Sequence, residues 1–296
     1  MITIVSHDAG GAEILSEWIK NKKIECNYCL QGPAIKIFKN KISKINLSNY
    51  KDVIKKSKLV ITGSSWPSRF EVAAIKNAKK NQVKVVTFLD HWIHYQLRFL
   101  FNGKLMLPNE VWVGDKVAFK IAKKEMPKAL IKLKKNMYLE NKIKKIKKFQ
   151  KKIKQENLLY LCSPVIKNKY YKNNKDLFKF NEKKLLEYFI KNVNYLNVNY
   201  KKIIIRLHPS EKIEKYYWLK KEINKKKIKF SKNNKLEKDI ASSKVVLGFN
   251  SNAMVISVLS GKKVYNVSPA GKNGNILPFK KILNFKNIIK KNVKKN

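Results

Sequence analysis

Short runs of Val, Ile and Leu that do not alternate with polar residues recur along this chain, and each is followed by a helical pattern. In the first third, ITIVSH precedes AEILSEWIK, KLVITGSS precedes SRFEVAAIKNAKK, VKVVTFLDH precedes WIHYQLRFLF, and EVWVGD precedes KVAFKIAKK. A strand that reads as an unbroken apolar run is covered on both faces, so the series predicts βαβ units on a parallel sheet. The alternation resumes with NLLYLCSP, a helix near 182–195, KKIIIRLHP, a helix near 212–224, KIKFS, a short helix near 235–241, and KVVLGF. NAMVISVLSGKK then reads as a helix ending at Gly261, before the strand VYNV. With 296 residues and 44% hydrophobic content, two domains of ordinary size are expected. The predicted fold is α/β, with two Rossmann-like domains facing each other. The first covers 1–135, a basic linker helix 136–156, the second 157–277, and a lysine-rich tail over 278–296 is read as one or two helices packing back on the first domain.

The formal net charge of +47 would suit nucleic acid or an anionic membrane as partner. The cations, however, are 64 lysines and only three arginines, dispersed among many Asn and Ile residues, which reads as compositional bias and solvated surface. Trp66, Trp92 and Trp112 fall within or just after strand-like runs, not interleaved with surface lysines, so no specific nucleic-acid partner is expected. Ile143, Ile146, Phe149 and Ile153 lie at helical spacing in the basic segment, which can bridge domains or rest on an anionic membrane surface. Where lysine is the default cation, Arg69, Arg98 and Arg206 mark places that need a planar, five-donor fork. Cys26 and Cys29 form a C-x-x-C inside the apolar IECNYCL, with no second pair or nearby histidine. Together with Cys162 they read as reduced, buried thiols in a cytoplasmic protein. MITIVSH begins as a strand and no apolar run reaches membrane-spanning length, so neither a signal peptide nor a membrane span is expected.

Ligands of open parallel sheets bind beyond the carboxyl ends of the strands. All four histidines, His7, His91, His94 and His208, lie at or just past such ends. SHDAGGAE holds His7, Asp8, Gly10 and Gly11 in a turn whose glycines let backbone N–H groups approach an anion or a sugar. TGSSWPSRFE offers Ser64, Ser65 and Arg69; either serine can instead cap the next helix, with Pro67 near its first turn. FLDHWIHYQLRF crowds Asp90, His91, Tyr95 and Arg98 together. A helix here would put His91, Tyr95 and Arg98 on roughly one face, with Asp90 at the cap. RLHPSE brings Arg206, His208, Pro209 and Ser210, with Ser210 read as the cap of the following helix. GFNSNA brings Gly248, Asn250, Ser251 and Asn252 at a strand-to-helix turn able to hold a phosphate.

On these residues the second half resembles the C-terminal domain of GT-B-fold glycosyltransferases. More narrowly, it is similar to the bacterial sialyltransferase, polysialyltransferase and Kdo-transferase group, which carries an H-P pair at a strand end and a later serine turn. The resemblance places the H-P pair on His208 and Pro209 and the serine turn on Ser251. It implies a CMP-sugar donor, with His208 on the donor phosphate and serving as general acid. The group's acidic motif, whose carboxylate deprotonates the acceptor, falls on Asp90, although His91 and Trp92 stand where an acid and a glycine are expected; Asp8 is the rival base.

The expected activity is an inverting, metal-independent transfer of a CMP-activated acidic sugar to a surface-glycan or lipid-linked acceptor hydroxyl. No cofactor is expected, and peripheral contact with the inner face of the membrane is. Arg206 or Arg98 would hold the sugar carboxylate, while His7, Gly10, Gly11, Ser64, Ser65, Arg69, His91 and Tyr95 would line the acceptor side. The competing readings are a UDP-sugar transferase or epimerase, a polyol-phosphate transferase, and a basic binding module for nucleic acid or anionic membrane. An epimerase wants several carboxylates around the sugar, in a chain with only 20 acids.

Overall fold

The computed structural model describes residues 1–66, 68–165, 180–223, 226–233, 235–270 and 274–293. Pro67 and the last three residues of the tail lie outside them. The chain divides into two compact units, Met1–Glu140 and Asn141–Asn296.

In the first unit, β1 (Ile2–Ser6), β2 (Cys26–Leu30), β3 (Leu59–Thr62) and β4 (Val85–Phe88) join β7 (Glu110–Val113) and β8 (Ile131–Leu133) in one sheet. Its order is β2-β1-β3-β4-β7-β8 and every pairing is parallel. The helices are α1 (Ala9–Lys22), α2 (Pro33–Lys39), α3 (Tyr50–Val53), α4 (Phe70–Lys80), α5 (Tyr95–Arg98) and α6 (Lys116–Glu125), and α7 (Met137–Gln150) begins in this unit and runs on past Glu140. Strands such as β4, buried at all four positions with Thr87 bonded to Thr62, show why the sheet is parallel: both faces need helices over them. Ile4, Ile61, Val86 and Phe88 form a core with Leu15 and Ile19 of α1.

The second unit repeats the arrangement with β9 (Asn157–Leu161), β10 (Ile203–Arg206), β11 (Ile228–Phe230), β12 (Ser243–Gly248), β13 (Lys263–Asn266) and β14 (Ile282–Asn284). Its order is β11-β10-β9-β12-β13-β14, again wholly parallel. Leu158, Tyr160, Ile203, Ile205 and Leu247 meet Phe189 and Phe285 in its core. The fold is α/β with two Rossmann-like sheets.

Three segments differ from the sequence reading. WIHYQLRFLF is not one helix: only Tyr95–Arg98 turns, and a hairpin follows, β5 (Leu100–Phe101) with β6 (Lys104–Leu105). Asn102 and Gly103 both take positive φ, the two-residue Asn-Gly turn that suits a hairpin's twist. Past RLHPSE the chain forms a 3-10 helix, Ile213–Leu219, whose N-cap is Lys212, so Ser210 does not cap it. The tail supplies a strand before its helix: β14 pairs with β13, and the helix Phe285–Val293 packs Phe285, Ile288 and Ile289 on the second unit's core. Asn284 and Phe285 end the apolar ILNF run that the lysines around it obscured.

Candidate functional site

Each sheet reverses its direction of strand addition once, and ligands of doubly wound folds sit at the carboxyl ends flanking that reversal. In the first unit the reversal lies between β1 and β3; in the second it lies between β9 and β12.

At the first crevice α1 and the turn after β3 touch backbone to backbone. A Cβ on Gly11 would lie 3.0 Å from the Gly63 Cα, so that approach leaves little room for a side chain. The Ser6 hydroxyl lies beside this contact, fully buried and without a hydrogen-bond partner. One residue on, the His7 ring nitrogen Nδ1 is 2.7 Å from Asp8 Oδ1, and both side chains are about a quarter exposed, at 27% and 26%. With Nδ1–H donated to the carboxylate, the neutral ring keeps Nε2 as an acceptor. Gly32, at φ +52°, faces that ring; a Cβ there would lie 2.9 Å from Nε2. The His7 backbone N–H donates to Glu71 Oε1 at 2.7 Å. Glu71 is 3% exposed, its Oε2 has no partner, and burial pushes its pKa up to about 7 against the backbone donors that oppose the rise.

Asp90 sits in a different setting. Its Oδ1 accepts from Ser64 Oγ at 2.9 Å and from Arg98 Nη1 at 2.7 Å, and Arg98 also donates to Ser64 Oγ and to the Ile93 carbonyl. Its Oδ2 lies so close to Gly10 that a Cβ there would sit 1.9 Å away. Asp90 therefore ties the end of β4 to the β3 turn, to α5 and to the start of α1. It does not cap α5, whose N-cap is His94 in the left-handed region, because residues 91–93 are bent rather than helical. Burial, then the Arg98 charge, holds both His91 and His94 down to about 4, so both are neutral at physiological pH. Tyr95 is fully buried in the same wall, and its hydroxyl has no hydrogen-bond partner. Ser65 accepts from Ser68 N–H, and Ser68 in turn accepts from Phe70 N–H; these are turn bonds ahead of α4, whose N-cap is Arg69. The exposed Arg69 fork reaches the Leu97 carbonyl and stands apart from both clusters.

At the second crevice Ser163 Oγ, past β9, donates to the Phe249 carbonyl, past β12. Gly248 packs closely here: a Cβ would lie 3.0 Å from the Leu161 carbonyl. Asn250, at φ +46°, donates to the Gly274 carbonyl at 2.7 Å and accepts from Asn266 Nδ2 at 2.8 Å and from Ile276 N–H. That amide latch aims the chain into the helix Asn252–Leu259, with Ser251 at the N-cap. The Ser251 hydroxyl makes no cap bond and has no partner, and it stands at a helix N-terminus, where N–H groups favour an anion. Asn252 is the first residue of that helix.

His208 leaves β10, the strand next to β9. Its Nδ1 accepts from Ser210 N–H at 3.2 Å and lies 2.9 Å from Ser210 Oγ, which puts the neutral ring's proton on Nε2. Burial lowers its pKa, so the ring stays neutral. Pro209 follows at the strand's exit, where the chain turns back so that Glu211 N–H reaches the His208 carbonyl. Arg206 is committed elsewhere: Nη1 binds the buried Asp239 at 2.6 Å and the Asn233 carbonyl at 2.9 Å.

Glu71, Ser6 and Ser163 escaped the sequence reading. Glu71 was legible in principle, because it falls with Ile75 and Ala78 on the buried stripe of α4, where a carboxylate is costly. Ser6 and Ser163 carry no such signal. Among the described residues no cluster of three His, Cys, Asp or Glu side chains is disposed to hold a metal ion. No described helix is long and apolar enough to cross a membrane. A cavity of about 500 Å³ lined by Lys79, Lys84 and Glu110 lies at the amino ends of the first sheet, away from these clusters.

No family profile and no curated protein matches the chain. Solved structures do. A "putative UDP-N-acetylglucosamine 2-epimerase" from Listeria monocytogenes superposes with a TM-score of 0.60 at 9% identity, over 98% of this chain and 86% of that one. The glycotransferase of kitacinnamycin gives 0.53 at 8% identity, over 91% and 82%. At such identities the likeness shows the fold: two Rossmann-like units of the GT-B kind.

Proposed function

We propose that this chain is a nucleotide-sugar-dependent enzyme that transfers a glycosyl group to an acceptor hydroxyl, with a UDP-sugar as donor. The observation that carries the reading is the Ser251 hydroxyl, left unused by the fold at a helix N-terminus beside the second sheet's reversal point. A donor phosphate completes that site: Ser251 and the helix N–H groups bind its oxygens, and His208 Nε2–H donates to the charge that grows on the leaving nucleotide. In the first unit His7 Nε2 accepts the acceptor's proton while Asp8 orients the ring and stabilises the imidazolium that forms. Asp90 is a positioning residue in this scheme, since one oxygen is engaged by Arg98 and Ser64 and the other abuts Gly10.

UDP is preferred to the CMP donor implied by the sialyltransferase-like motifs because one of the two similar folds is described as acting on a UDP-sugar. Sugar epimerisation on the same donor is the second reading, favoured by two carboxyl groups at His7, Asp8 on its ring and Glu71 on its backbone N–H. Calorimetric titration with UDP and with CMP, followed by product analysis with the matching sugar nucleotides, tests the proposal. Saturable UDP binding and transfer to an added glycan support it. CMP binding alone would restore the CMP-sugar reading, and binding of neither nucleotide would end both.

A further inference from the structure

Beside the edge strand β8, the first unit has a groove of about 510 Å³ within the size range of small-ligand sites. α1 packs over β1 and β4, and beyond it the face of β7 presents Trp112, 6.1 Å from Trp18 between ring centroids and tilted by 51°. Met137 completes the apolar floor. The rim carries Lys22, Lys134 and Lys135, and the lining contains no carboxylate. Lys134 Nζ stands 5.3 Å from the centre of the Trp112 ring, held over its face. Lys135 pairs with Glu140 at 3.1 Å, but both groups are more than half exposed, so the pair is weak and exchangeable. Trp112 is itself fixed, because its indole N–H donates to Glu110 Oε2 at 3.0 Å.

Trp112 is buried in the core, with Lys134 over its face, so the half-buried Trp18 indole is the ring this groove offers, and under a rim of lysines it suits a ligand with an apolar face and anionic substituents. We propose that this groove is a subsite for an anionic saccharide: one sugar ring lies against Trp18 and its carboxylate or phosphate meets Lys22 and Lys134. The choice of a saccharide rests on the sugar-transfer reading, whereas the preference for an anion rests on the rim alone. The groove would hold part of a charged acceptor chain apart from the groups that react.

The test is a tryptophan-fluorescence titration of the full chain with a hyaluronan hexasaccharide, the neutral hexamer of N-acetylglucosamine and a single-stranded oligothymidylate. UDP affinity is measured in parallel by calorimetry. The expected result is saturable quenching by the hyaluronan fragment, at least tenfold weaker in Trp18→Ala and in Lys134→Glu, with UDP affinity unchanged in both. Lys134 is exposed, so its variant keeps the fold even where Trp18→Ala does not. Absence of hyaluronan binding, equal binding of the neutral hexamer, tighter binding of the oligothymidylate, or hyaluronan affinity unchanged in Lys134→Glu would each overturn the proposal. Hyaluronan binding without UDP binding would overturn the sugar-transfer reading and leave the anion-binding groove standing.

Discussion

The two histidines at the sheets' carboxyl ends are held in opposite senses. His7 gives its Nδ1–H to Asp8 and keeps an accepting Nε2, whereas His208 takes an N–H from Ser210 on Nδ1 and keeps a donating Nε2–H. The same side chain is thereby set up as a proton acceptor in one unit and as a hydrogen-bond donor in the other. The surroundings follow suit. The first crevice is crowded with carboxylates, Asp8, Glu71 and Asp90, while the second is built from amides and hydroxyls, Asn250, Asn266, Ser163 and Ser251. An environment of neutral donors at a helix N-terminus suits a phosphate, and carboxylates next to an imidazole suit proton removal.

The largest effect should come from the buried pair that frames the first crevice. Asp90→Ala leaves the Arg98 guanidinium, 9% exposed, without its carboxylate and should cost about 3–5 kcal/mol in chemical denaturation. Asp90→Asn should retain both the fold and part of the turnover; an intact fold with no turnover would make Asp90 the base and undo the contrast between the crevices.

A smaller effect separates two glycines, Gly10 in the first unit and Gly248 in the second. Gly10→Ala drives a Cβ into Asp90 Oδ2 and must displace that carboxylate, whereas Gly248→Ala meets the Leu161 carbonyl at a tight 3.0 Å. Gly248→Ala should lose about 1–3 kcal/mol, with Gly10→Ala losing more; the reverse order would mean that Asp90 is loosely held.

A further effect is a pH slope. The folded pKa of Glu71 is raised from 4.5 to about 7, so between those values the native state holds more protons than the unfolded one and stability falls as pH rises. Glu71→Gln should remove that slope between pH 4.5 and 7 in denaturation midpoints and leave the second unit's nucleotide binding untouched. A slope that survives the substitution would assign the titration to another group.

The parallel α/β fold was legible because apolar strands without alternation have few other solutions, and SHDAGG and GFNSNA were legible as turns from glycine and the strand-to-helix switch. The positions of His7, His208 and Ser251 followed from them. What each group is bonded to did not. Arg98 and Arg206 stand out in a lysine-rich chain, yet each serves a carboxylate of the protein: Arg98 takes Asp90, eight residues back, and Arg206 takes the buried Asp239, 33 residues on. The rarity of arginine marked where a fork was needed, but not whether a ligand or a carboxylate would receive it. The hairpin turn at Asn102–Gly103 was readable locally and was hidden by the apolar residues around it, which fit a helix equally well.

The division between the crevices is tested most directly by measuring UDP affinity by calorimetry in the parent chain, in Ser251→Ala and in His7→Ala. Ser251→Ala should weaken UDP binding about tenfold, the scale of one hydrogen bond to a charged group. His7→Ala should bind UDP as the parent does while losing about 10²-fold or more in turnover. Weakened UDP binding in His7→Ala with none in Ser251→Ala would contradict the account.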